Sequence, residues 1–144
     1  MSTLNVTTIQ NLSTLTASGQ VSVGGNLLMN SGYGSAATAY GCRAWVNFDG
    51  QGTYSPNPST SKIRASGNVS SIYDNGTGNY TLNFTTAMPD ANFAYTCSVG
   101  DSDHSTYARA LSFISSTAST LQVLAEASNG SNYDEDQINI AIFR

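Results

Sequence analysis

The chain has 144 residues, enough for one ordinary domain with a core of its own. Charged side chains make up 10% of it, against about 25% in a typical soluble domain, and the formal net charge is −4. The five basic residues, Arg43, Lys62, Arg64, Arg109 and Arg144, form no cluster, which excludes a phosphate-gripping surface and nucleic acid as a partner. No apolar run approaches the roughly 20 residues that span a bilayer, so membrane insertion is excluded too.

The polarity resides in Ser, Thr, Asn, Gln and Gly, which are turn and strand residues and poor helix formers. The expectation is an all-β protein. The opening "MSTLNVTTIQ" has no basic segment followed by an apolar one, so no signal peptide is expected. Residues 1–39 carry weak strands, "TLNVTTIQ", "STLTAS", "QVSV" and "NLLMN", separated by Gly, Ser and Asn turns. Leu4, Val6 and Ile9 form a small apolar stripe. Val21, Val23, Leu27 and Met29 form another within an uncharged, glycine-rich stretch.

Such thin alternation cannot offset the entropy of ordering a strand pair alone. It becomes stable when copies wrap around a shared axis and use up one another's strand edges. The expectation is a parallel homotrimeric stem with Val21, Val23, Leu27 and Met29 toward the axis. A polar tail ahead of a monomeric domain is the alternative. The small residues of "SGYGSAATAYG" mark the joint, and the domain boundary is set between residues 39 and 40.

Beyond residue 40 the alternation strengthens. "CRAWVNF" puts Cys42, Ala44, Val46 and Phe48 on one face and Arg43, Trp45 and Asn47 on the other. "KIRASGNVSSIY" reads as one strand with Ile63, Ala65, Gly67 and Val69 inward. "NYTLNFTT" aligns Tyr80, Leu82 and Phe84, and "NFAYTCSV" aligns Phe93, Tyr95, Cys97 and Val99. "YARALSFIS", "STLQVLAEA" and "QINIAIFR" complete about seven strands. Turn signals such as "FDGQG", "YDNGTG" and "MPDAN" separate them, a spacing that predicts an antiparallel β-sandwich or jelly-roll-like head over 40–144. Its expected core is Val46, Phe48, Ile63, Val69, Leu82, Phe84, Phe93, Tyr95, Ile138, Ile140 and Ile142. Cys42 and Cys97 are expected as reduced, buried thiols, with a disulfide between them as the alternative.

Two stretches carry a resemblance. "MSTLNVTTIQNLS" resembles the start of short fibre and tail-fibre proteins of tailed bacteriophages, including phages of cyanobacteria. "RAWVNFDGQGT" and "IRASGNVSSIYDNGTGNYTLNFTTAMPDANFAYT" resemble the C-terminal domain of such fibres. The most specific part is "GTGNYTLNFTTAMPDANFAY", with a turn, an aromatic strand, Pro89 and a second aromatic strand in fixed order. The resemblance covers most of the chain and implies a homotrimeric virion fibre. Its N-terminal stem would be anchored to other virion proteins and its β head would point outward. The chain departs from the family in lacking a long repetitive shaft and a large receptor-binding module, so a neck, head or baseplate position competes with a tail-fibre one.

The chemistry-bearing residues are few. Asp101, Asp103 and His104 in "GDSDHSTY" offer two carboxylates and an imidazole, but no further ligand is visible, and no metal site or cofactor is assigned. Asp134, Glu135 and Asp136 gather in a loop without the ligand alternation of a calcium hand. No G-x-S-x-G elbow accompanies the lone histidine, and Asp49, Asp74 and Asp90 sit in turns where Asp caps the backbone. No catalytic residue is assigned, and a non-enzyme is expected. Trp45, Tyr73, Tyr80, Tyr107 and Tyr133 are candidate sugar-stacking platforms. Arg43, Trp45 and Asn47 share a strand face that suits either a glycan or a subunit interface. Host-receptor or glycan adhesion is therefore the alternative function, and capsid decoration a second one.

Overall fold

The computed structural model describes residues 24–25, 27–29, 37–100 and 107–144, and the chain divides into two units after Ala39. In the first unit, β1 (Leu28–Met29) pairs antiparallel with β2 (Ala37–Thr38), and Ala39 N donates to Leu27 O at 2.8 Å. Leu27 is half exposed and Met29 lies in β1. Leu4, Val6, Ile9, Val21 and Val23, on which the anchoring and axial expectations rest, lie outside the described residues.

The second unit contains eight strands: β3 (Cys42–Phe48), β4 (Ile63–Gly67), β5 (Val69–Gly76), β6 (Asn79–Phe84), β7 (Ala94–Gly100), β8 (Arg109–Thr117), β9 (Thr120–Ala127) and β10 (Gln137–Phe143). They form two four-stranded antiparallel sheets, ordered β4-β3-β10-β7 and β5-β6-β9-β8. The described residues contain no helix, and so none long and apolar enough to cross a membrane. The pairs β3–β4, β5–β6 and β8–β9 each keep both strands in one sheet. Of the two architectures expected, this is the sandwich.

One core lies between the sheets. β3 and β10 send in Val46, Phe48, Ile138, Ile140 and Ile142, while β5, β6 and β9 send in Ile72, Tyr80, Leu82, Phe84, Leu121 and Val123. Burying each of the larger apolar side chains is worth about 1.5–3 kcal/mol. Phe48 meets Tyr80 edge-on across the two layers, and Phe84 meets Phe93 in the same way. Of the expected core residues, Val46, Phe48, Val69, Leu82, Phe84, Ile138, Ile140 and Ile142 are buried. Ile63, Phe93 and Tyr95 are half-buried and pack against the core's margin, since β4 and β7 are edge strands.

Three expectations need correction. "KIRASGNVSSIY" is two strands in different sheets, so the head has eight strands rather than seven. The break falls at Asn68, whose φ of 58° turns the chain from one sheet to the other. Its amide pins the crossover, donating to Arg43 O at 3.1 Å and Thr86 O at 3.0 Å and accepting from Thr86 N at 2.7 Å. Ala65 and Gly67 lie opposite the outward Asn47 and Trp45 rather than facing inward with Ile63, because the β3–β4 register shifts between Phe48 and Asn47. Cys42 is exposed as well: the β3–β10 register shifts between Ile142 and Phe143, just where Cys42 would have turned inward. Cys97 is half-buried, its thiol pushed up by burial, and both cysteines are free.

A polar network closes one end of the sandwich. The Tyr80 hydroxyl lies 2.7 Å from Asp134 Oδ1 and 2.9 Å from Gly50 O, and Asp134 Oδ1 also accepts from Gly78 N at 2.7 Å. Gly78 has a φ of 72° and approaches the Ala125 carbonyl so closely that a Cβ would stand 2.6 Å from it. Beside it, the Arg109 guanidinium is ion-paired with buried Glu135 and lies 3.9 Å above the Tyr133 ring.

Candidate functional site

The outer face of the β4-β3-β10-β7 sheet carries a groove of about 360 Å³. Antiparallel register aligns its outward side chains in two rows across the strands. One row runs Gly67, Trp45, Ala141, Thr96. The other runs Ala65, Asn47, Asn139, Ser98. Strand alternation puts all of these outward because Val46, Ile140 and Cys97 occupy the intervening inward positions.

The relief of the groove follows from residue size. Ala141 is the low point, between Trp45 and Thr96. Trp45, 45% exposed, forms the wall, and its indole edge closes over Gly67, where a Cβ would meet Nε1 and Cδ1. The second row is linked by hydrogen bonds. Asn47 Nδ2 donates to Asn139 Oδ1, and Asn139 Nδ2 donates to Ser98 Oγ at 3.2 Å. The outward lining side chains bear no charge. Arg43 shares this strand face and is exposed but does not line the groove.

The structure thus brings Trp45 and Asn47 together and adds Asn139 and Ala141 from β10, roughly 95 residues away, and Thr96 and Ser98 from β7, roughly 50 residues away. Sequence inspection missed these four. Their only signal is the outward parity of "QINIAIFR" and "NFAYTCSV".

The other candidate residues fall elsewhere. Tyr73 and Tyr107 are exposed, Tyr133 lies beneath Arg109, and Tyr80 is wholly buried, so it is no surface platform. Burial, followed by the Asp134 hydrogen bond and charge, pushes the Tyr80 hydroxyl well above the ordinary tyrosine value of 10.0. Asp134 and Glu135 are engaged by Tyr80, Gly78 and Arg109. Among the described residues no group of three His, Cys, Asp or Glu stands close enough to hold a metal ion, and Asp101, Asp103 and His104 lie outside them. The three turn aspartates cap local amides: Asp49 accepts from Gln51, Asp74 from Gly76 and Asp90 from Asn92. Asp90 is held below the usual carboxylate range by the Asn92 amide and by its ion pair with Arg144.

No protein-family model matches the chain. No curated protein matches it in sequence. Among solved structures, it is similar to the phiAB6 tailspike, determined in complex with three-repeat oligosaccharides of an Acinetobacter baumannii surface polysaccharide. The TM-score is 0.46 and the identity 14%, over 79% of this chain and 22% of the tailspike.

Proposed function

We propose that the chain is a homotrimeric structural fibre protein of a tailed-phage virion, held to the particle through residues 1–39 with its β head outward. The observation that carries this reading is the sequence itself. A "MSTLNVTTIQNLS" start and a "GTGNYTLNFTTAMPDANFAY" head signature occur in the order that such fibres use. The head has a core of its own, so its fold does not depend on the stem. Leu4, Val6 and Ile9 are the proposed contact with other virion proteins, and the polar backbone around them can add strands to a partner's sheet edge. Val21, Val23, Leu27 and Met29 are the proposed axial stripe. The role is assembly and anchoring rather than catalysis, with no metal or cofactor required. Host adhesion and capsid decoration are the competing roles, and the outer groove favours adhesion as an added task of the head.

Sedimentation of the full chain tests the assembly. The expected result is one species at three times the 15.1 kDa chain mass. A species at the chain mass itself, unchanged on concentration, overturns the fibre reading.

A further inference from the structure

We propose that the groove across β3, β10 and β7 is a binding site for a neutral saccharide. In this site the Trp45 indole is the stacking platform, and Asn47, Asn139 and Ser98 form the hydrogen-bonding row. This goes beyond the fibre reading and does not depend on it.

The first support is unused hydrogen-bonding capacity. The links from Asn47 to Asn139 and from Asn139 to Ser98 orient both amides. Among the described residues they leave Asn47 Oδ1 and one N–H of each amide uncommitted. The Thr96 hydroxyl makes no hydrogen bond among the described residues. The groove therefore offers donors and acceptors together, beside an aromatic face. Sugar hydroxyls are donors and acceptors at once, and the C–H face of a pyranose is apolar. The two halves of such a ligand match the two rows.

The second is charge. Among the described residues no acidic or basic side chain lines the groove. An anionic sugar or a phosphate would find no counter-charge there and would lose hydration without recompense. The third is preorganisation. The platform stands on an inner strand of the sheet, and Gly67 lets the Nε1–Cδ1 edge of the indole settle against the strand beside it. Little side-chain freedom remains to be lost on binding. The volume lies near the small end of the ~300–1,000 Å³ range of ligand sites.

Two other occupants fit less well. An extended peptide cannot add as a strand over the floor of the groove, because β3 and β10 are each paired on both edges; among the described residues, the one free edge of a lining strand, that of β7, lies at the margin of the sheet. A second copy of the chain would bury a row of amides and hydroxyls where the centre of a protein interface is usually apolar.

Trp45 is the only tryptophan, so the intrinsic tryptophan fluorescence of the full-length protein reports on this groove alone. The probes are neutral hexoses, 6-deoxyhexoses and N-acetylhexosamines, as mono- and disaccharides, with sialyllactose as the anionic control. The expected result is a saturable emission change with at least one neutral probe and none with sialyllactose. Ala141→Phe fills the low point from the solvent side and should abolish the response. Asn139→Ala should weaken binding about tenfold, the effect of losing one or two such hydrogen bonds. Both variants should keep the wild-type thermal midpoint within a few degrees, and Asn139→Ala carries the test if Ala141→Phe does not fold. No response to any neutral probe overturns the proposal, and so does preference for sialyllactose. Emission that depends only on protein concentration also overturns it and makes the groove an interface between copies. The fibre reading survives each of these results, since it is judged by mass and by presence on particles.

Discussion

The indole of Trp45 covers Gly67 on the neighbouring strand so closely that no Cβ fits beneath it. The wall of the groove is thus set by the absence of a side chain on β4, a strand that does not line it. Gly67 is not in the left-handed region, so alanine is tolerable to the backbone there and acts only on the indole. Gly67→Ala should lift Trp45 toward solvent, shift its emission to longer wavelength and cost about 1 kcal/mol, the low end for overpacking because the ring can swing outward. Unchanged emission would show that the ring does not rest on Gly67.

Phe48 and Tyr80 join the two sheets through ring centroids 5.3 Å apart at an interplanar angle of 75°. Phe48 is wholly buried, so Phe48→Ala empties the middle of the sandwich. The expected loss is about 3–5 kcal/mol in chemical denaturation. A loss below about 1 kcal/mol would mean that β3 presents its other face to the core, since a one-residue slip reverses every side chain.

Tyr80 also makes the fold sensitive to alkali. Its pKa is raised in the folded chain, whereas the unfolded chain releases the proton near 10.0. Above that pH the unfolded state binds fewer protons than the native state, so stability present below about pH 10 is lost as the pH rises. Tyr54, also raised mainly by burial, acts in the same direction. The thermal midpoint should therefore fall between about pH 8 and about pH 11, and fall less steeply in Tyr80→Phe. Equal slopes would remove Tyr80 as the cause.

Much of the head could be read from alternation alone. β6, β9 and β10 are strands with a strict inward parity, β3 keeps it from Ala44 to Phe48, and Val46, Leu82 and Ile140 lie where that parity puts them. Asn68 hid the β4–β5 break, because the apolar parity of Ile63 and Val69 runs through it without interruption. Its residue type was the usable sign, asparagine being tolerant of positive φ. The Arg109–Glu135 pair was not legible at all, since nothing local marks a contact between residues so distant in the chain. The groove was half legible. Trp45 and Asn47 announce an outward polar and aromatic face, but which strands complete it depends on sheet order. That order is set by how the whole core closes rather than by any one strand.

The central proposal is that this protein is a part of a tailed-phage particle, held there by its N-terminal segment. Antibody-gold labelling of purified phage particles produced from the genome that carries this sequence, with quantitative mass spectrometry of the same preparation, tests this most directly. The account predicts label at the tail, neck or baseplate, and loss of the protein from particles when residues 1–16 are deleted, while the isolated deletion variant keeps the melting transition of the head. Particles that lack the intact protein, or that retain the deleted form at full copy number, would contradict it.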